Sequence, residues 1–373
     1  MKATIDRGGF LHLLEAVQPG ISPGEVVSQS GSFVFSGGMV ITYNTDVACR
    51  VKSGLPKDFV GAVKAKAFLE LLKKMEFETL ELSVEASQLI IRGGKTDRVR
   101  LRMDGEMTLP LSGLERPTKQ QWRPVHEEFN DAVGIVSAVA GKDTSQFIGM
   151  CVHMTPKWVE ATDGFQLARY NVDTGLAVPV LVKKDSLKHV VPLDVTKICE
   201  TDRWVHFRNP AGVTMSVKRH TDPFPDLKAN LKVSGEPAAL PKGLAQAVSV
   251  ASIFSKENPD SNLLILNIRP PTGKEKMGKM MVTGIGTSGD YSKLYDIHYT
   301  GLPMAFTIPP EILAHIATKH SDCILTPKRL KVEGGKWQYV TTLGNPESMT
   351  PVTEKKPKVQ ESLPPPEETE DVS

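Results

Sequence analysis

ITYNTDVACRVKSGL (residues 41–55), VEATDGFQLARYNVDTGL (159–176) and MVTGIGTSGDYSKLYDIHYTGL (281–302) are three versions of one passage. Each reads as an alternating strand, a tight turn and a second alternating strand. The segments after them match as well. VKAKAFLELLKKM (63–75), VKKDSLKHVV (182–191) and IPPEILAHIATKH (308–320) have helical spacing of apolar residues. A further strand, turn and strand come next, as in LELSVEASQLIIRGGKTDRVRLRM (80–103). Self-similarity at a period near domain length means a row of like modules, and such a row builds an arc or a ring.

The chain has 373 residues, 40% hydrophobic and 24% charged, which is ordinary for a globular protein with two or three domains. Three repeats of about 115–120 residues each fall within the usual domain range. No apolar run approaches the ~20 residues that cross a bilayer. Asp6 and Arg7 stand where a signal peptide would have its apolar core, so the expected location is cytoplasmic. Cys49, Cys151, Cys199 and Cys323 are far apart, with no CxxC pair or zinc spacing. They are expected to be buried, reduced thiols.

The apolar patterns set the expected boundaries. The first module is 1–118, the second 119–234, the third 235–349. RGGFLHLLEAV (7–17), EEFNDAVGIVSAVA (127–140) and PKGLAQAVSVASIF (241–254) supply a first helix to each module. Two helices and several alternating strands per repeat predict α+β modules, with the helices packed on antiparallel sheets. The last stretch, 350–373, is rich in Pro and Glu and nearly devoid of large apolar residues. It is expected to be a disordered acidic tail. That tail carries −3 and the rest of the chain +5.

Several motifs tempt a catalytic reading. Gly284–Gly289 is a formal GxGxxG, but DYSKLYDIHYTG after it alternates like a strand, whereas a dinucleotide site needs a helix there. A hairpin is the expected structure. GGKT (93–96) lacks the earlier glycine of a P-loop, because Leu89 stands in its place. The histidines are scattered, and Asp163 in ATDG is accounted for by turn chemistry. No enzyme activity, cofactor or metal is expected.

The lysines recur by position. Lys64, Lys66, Lys73 and Lys74 lie on or beside the second helix of the first repeat, and Lys183, Lys184 and Lys188 on the matching segment of the second. Lys142 comes just after the first helix of that repeat. Recurrence at equivalent places suggests one shared positive surface.

At ATDGFQLARY (161–170) the chain resembles the bacterial DNA polymerase III beta sliding clamp family, which carries ATDG followed by His-Arg-Leu-Ala. TDPFPDL (221–227), LIIRGGKTDRVRLRM and MAFTIPPEILAHI extend the resemblance over nearly all of residues 1–345. It implies three like-folded domains per chain. It further implies a homodimeric ring around duplex DNA, bound without sequence preference, and a processivity role with the replicative polymerase and a clamp loader as partners. By the same resemblance Lys142 and Lys184 fall at DNA contacts. Val99 and Leu101 fall on one side of the dimer interface, Ile253 and Phe254 on the other. A pocket for partner peptides maps to Phe147, Thr162, Gly164, Leu167, Val340 and Thr342.

There are departures. Phe165-Gln166 replaces His-Arg, Lys232 stands near an expected proline, and both PPTGKEKMGK (270–279) and the tail are additions. Divergence of this kind suits a phage or plasmid clamp. Within the tail, Gln360-Glu-Ser-Leu363-Pro loosely resembles pocket-binding peptides, while its composition predicts a solvating tail. Two other readings stay open: a modular ring that never meets DNA, and an enzyme with a nucleotide site at Gly284–Gly289.

Overall fold

The computed structural model describes residues 2–141, 146–257 and 262–346. Lys142 and the tail 350–373 lie outside them. The chain is α+β, with helices laid on large antiparallel sheets.

Residues 2–111 show how the sequence makes this layer. Asp6 caps the helix Arg7–Ala16 by accepting the Gly9 N–H at 2.6 Å. That helix buries Phe10 and Leu14, and the helix Ala65–Lys74 buries Ala65, Phe68, Leu69 and Leu72. Phe10 stacks on Phe35 and meets Phe68 edge-on, while Phe33 meets Phe68 from the sheet side. Four interlocked rings thus fix the helix pair to one sheet face. On the opposite face Val34, Ile41 and Ala62 pack with Leu109.

The stretch 127–193 is less regular than its sequence suggests. The helix Phe129–Ser137 buries Phe129, Ala132, Val133 and Val136 as expected. VKKDSLKHVV gives only one helical turn, Lys184–Leu187, then a 3-10 turn at Val191–Leu193. Pro192 stands at the start of that second turn and has no N–H to donate back to an i−4 carbonyl, so a continuous α-helix cannot run through it. Elsewhere Leu244–Ser255 and Pro310–Lys319 are full helices, the latter with proline at its start where a missing N–H does no harm.

The described residues form two compact units. One holds the chain up to Pro237 together with Asp322–Thr342, the other Ala238–Ser321 with the residues from Leu343 on. In the first unit a twelve-stranded sheet runs across the first two repeats. Its seam is Val47–Lys52 against Thr214–Lys218, with Ala48 opposite Ser216. A second seam in the same unit pairs Gln166–Asn171 with Trp337–Thr342, Leu167 opposite Val340.

The second unit has a four-stranded sheet whose hairpin Gly278–Ile285 and Asp290–Ile297 turns at the glycine motif. Gly286 N–H donates to the Gly289 carbonyl at 2.9 Å, as the hairpin reading requires. The glycines serve packing here. A Cβ on Gly284 would stand 2.1 Å from the Ala251 carbonyl oxygen, and one on Gly286 2.4 Å from that of Phe254. The hairpin therefore lies directly on the helix Leu244–Ser255. All four cysteines are buried and unpaired, and burial pushes the Cys49, Cys199 and Cys323 thiols up to about 12.

Candidate functional surfaces

Most of the candidate lysines are already engaged. Lys64 meets Glu25 at 2.6 Å, and that hydrogen bond, with a second from the Gln29 N–H, holds the Glu25 carboxyl below its ordinary range. Lys73 meets Glu15 at 2.8 Å and Lys183 meets Asp46 at 3.1 Å. Lys184 donates to the Ala140 carbonyl. Lys66 and Lys74 are exposed on the helix Ala65–Lys74, with no carboxylate within ion-pair distance among the described residues.

Two clefts border these groups. One of about 750 Å³ lies between His12 and Glu15 on the first helix and His189, Pro192 and Leu193. The other, about 570 Å³, is walled by Glu25, Lys64, Lys66 and Lys73. The surface is therefore a lattice of paired charges with a few uncommitted cations. A polyanion would have to displace carboxylates to reach Lys64, Lys73 or Lys183.

The interface candidates fall on sheet edges. Val99 and Leu101 are half-buried on the strand Asp97–Asp104. Gln88–Gly93 covers one side of that strand, while on the other side only Met103 and Asp104 are paired, with Val63 and Ala62. Asp97–Arg102 thus keeps an open edge among the described residues. In the other unit Asp290–Ile297 pairs, among the described residues, only with Gly278–Ile285 and is also an edge. Beside it Ile253 is 61% exposed and Leu294 59%, and Phe254 is half-buried. Large exposed apolar groups next to open strand edges are the usual mark of a strand-pairing interface.

The pocket candidates divide. Leu167 and Val340 are cross-strand partners, and they form one buried cluster with Leu227 and Leu231, flanked by Phe224 and Val233. Thr162 and Gly164 shape the adjoining turn. Thr162 Oγ1 donates to the Gln166 carbonyl at 2.8 Å, and Gly164 has φ +93°, a conformation that favours glycine. Asp163 Oδ1 accepts from the Phe165 and Gln166 N–H groups, and the Thr342 N–H donates to the Phe165 carbonyl at 2.9 Å. This rigid turn holds the Phe165 side chain 74% exposed. Phe147 makes its ring contact elsewhere, edge-on to His220 at 4.8 Å.

Sequence reasoning missed Leu227 and Leu231 as cluster members, although their i, i+4 spacing after TDPFP was a signal. It also missed the buried Glu160 near this cluster. Burial raises that carboxyl, but hydrogen bonds from His153 (2.8 Å) and Arg169 (2.6 Å) outweigh it and hold it below the ordinary range. His153 in turn stacks on Phe224 at 4.7 Å.

No protein-family model and no curated protein matches the sequence. Solved structures do match. DNA polymerase III subunit beta from Pseudomonas aeruginosa superposes with TM-score 0.75 at 15% identity, covering 92% of this chain and 99% of its own. The beta chain from Streptococcus pneumoniae TIGR4 gives 0.77 at 15%, with the same coverage of both chains. The Thermotoga maritima beta subunit gives 0.73 at 14%. The chain has the beta sliding-clamp fold. At these identities it is the clamp fold that is shared, and it reaches from one end of the neighbours to the other. The paired lysines, the open edges and the buried Leu167–Val340 cluster are features of this chain's own version of it.

Proposed function

We propose that this chain is a DNA sliding clamp. In this reading it comprises three modules, 1–118, 119–234 and 235–349, and two chains join head to tail into a closed ring of six modules around duplex DNA. The ring tethers a replicative polymerase in the cytoplasm and is opened by a clamp loader. Its contribution is topological and needs no catalysis from the chain. The observation that carries the reading is the clamp fold, extending over 92% of this chain and 99% of the Pseudomonas aeruginosa subunit.

Other features support it. Strand Asp97–Asp104 of one copy and strand Asp290–Ile297 of another each offer an unpaired edge, and a cyclic arrangement would cover both. Val99 and Leu101 would then meet Ile253 and Phe254. Lysines held by carboxylates suit a protein that moves along phosphates without gripping them. In this reading the candidate DNA contacts are Lys64, Lys66, Lys73, Lys74, Lys142, Lys183 and Lys184. In this reading the surface around Leu167 and Val340, with exposed Phe165 beside it, would take short apolar peptide motifs from polymerase, loader and repair partners. The nucleotide-enzyme alternative is disfavoured, since Gly284 and Gly286 are filled by the helix behind them.

Retention on closed DNA tests the reading. The protein, loaded on nicked circular plasmid by a cognate loader, should stay bound at high salt and leave when the plasmid is linearised. Equal retention on circular and linear DNA would sink the proposal.

A further inference from the structure

The sheet face opposite the first module's helices carries another concentration of positive charge. Cross-strand register sets Ile41, Arg50, Thr214, Arg208 and Lys197 in one row over adjacent strands. Antiparallel partners project to the same face, so these side chains share it, and Arg50 and Arg208 are roughly 10 Å apart at the backbone. The next row brings Ser216 and His206 side by side. Residues 105–122 cross this face. The Gly113 carbonyl accepts from Trp204 Nε1 at 2.9 Å, and Trp122 lies against His206. The Arg208 guanidinium sits 4.1 Å from the centre of the Trp122 ring. Arg116 enters from this crossing segment.

Among the described residues none of Arg50, Arg116 and Arg208 has a carboxylate within ion-pair distance. The neighbouring acids are committed elsewhere. Glu115 binds Arg203 through its side chain at 3.2 Å and its N–H at 3.1 Å, while Glu200 binds Arg123 and the Ala177 N–H. Arg208 Nε donates to Thr214 Oγ1 at 3.2 Å, which steers the guanidinium toward the row. Arg50 is half-buried, and burial, followed by repulsion from Arg116 and Arg208, pushes its pKa down. Arg50 and Arg208 flank Thr214 in register, and Arg116 lies close enough to repel Arg50, an arrangement that is unfavourable alone and becomes favourable with an anion between the guanidiniums.

We propose that Arg50, Arg116, Arg208 and the Thr214 hydroxyl form a binding site for a phosphate-type oxyanion, either free or as the terminal group of a larger ester. Planar guanidinium forks match tetrahedral oxyanions through paired N–H donors. Trp122 supplies an aromatic wall beside them, against which an ester's organic part can stack. The site is independent of the DNA-clamp reading and lies on the other sheet face from the lysine-bearing helices of the first module.

The test is thermal unfolding of the full chain in phosphate-free buffer at fixed ionic strength. Inorganic phosphate or adenosine monophosphate is titrated in against chloride. At saturation the wild-type Tm should rise by roughly 3 °C or more. The rise should vanish in Arg50→Met and in Arg116→Met, the second being an exposed position that leaves the core untouched. Without phosphate Arg50→Met should melt no lower than wild type, since it removes a repelled cation. If the nucleotide binds at least tenfold tighter, the ligand is an ester, and equal affinities identify free phosphate. No Tm rise in wild type, or the same rise in both variants, overturns the proposal.

Discussion

His206 is fully buried between two hydroxyls, with Ser216 Oγ 2.7 Å from Nδ1 and Thr201 Oγ1 3.1 Å from Nε2. Burial, with Arg50 nearby, pushes its pKa down to about 4. A histidine whose folded pKa lies below its unfolded value is protonated more readily when unfolded. Its contribution to stability is therefore complete above about pH 6.5 and is lost as pH falls toward 4. Urea unfolding across that window should show wild type losing on the order of 2–3 kcal/mol more than His206→Asn. Parallel pH profiles for the two proteins would refute this role. The role of this residue is not legible in the sequence, because nothing around VHFR (205–208) marks which way its ring points or that Ser216 will face it.

Helix Ala65–Lys74 shows what local pattern reveals and what it conceals. Its apolar stripe of Phe68, Leu69 and Leu72 was legible, and so was the run of lysines on its other side. The acids that neutralise two of those lysines were not. Glu25 is 39 residues from Lys64, and no local signal links Glu15 to Lys73. Leu231 joined the Leu167–Val340 cluster through a tertiary contact that no local pattern marks. The charge pattern gives a two-way expectation for duplex binding by this element. Removing uncommitted cations with Lys66→Ala and Lys74→Ala should flatten the dependence of log K on log salt, by up to about 2 per chain. Glu15→Gln with Glu25→Gln should steepen it by a similar amount, because Lys64 and Lys73 are released toward phosphate. A double glutamine variant with an unchanged or flatter slope would show that the carboxylates do not shield these lysines.

For the whole molecule the repeated passages announced α+β modules, and the sheets have that character. The seams between repeats were not announced. Ala48 opposite Ser216 and Gln166 opposite Thr341 join residues 168 and 175 positions apart, and the side chains at either end carry no local mark of the pairing. If ring closure uses the two open edges, Ile253→Asp should abolish it, because a charge without a partner would then be buried. Ile253 is 61% exposed, so each chain should keep its fold. Sedimentation should find a monomer with unchanged circular dichroism, and a persistent dimer would place the interface elsewhere. The second seam also sets an order of events during synthesis. The strand Gln166–Asn171 finds its neighbour Trp337–Thr342 only after residues 238–321 have been made. At about 5–20 residues per second, the roughly 170 residues between the two strands leave that edge bare for roughly 8–35 s. Late pairing between distant segments is slow and leaves the nascent chain open to misassociation. A ribosome pause between Ala238 and Ser321 should therefore lower soluble yield more than an equal pause before Gln166.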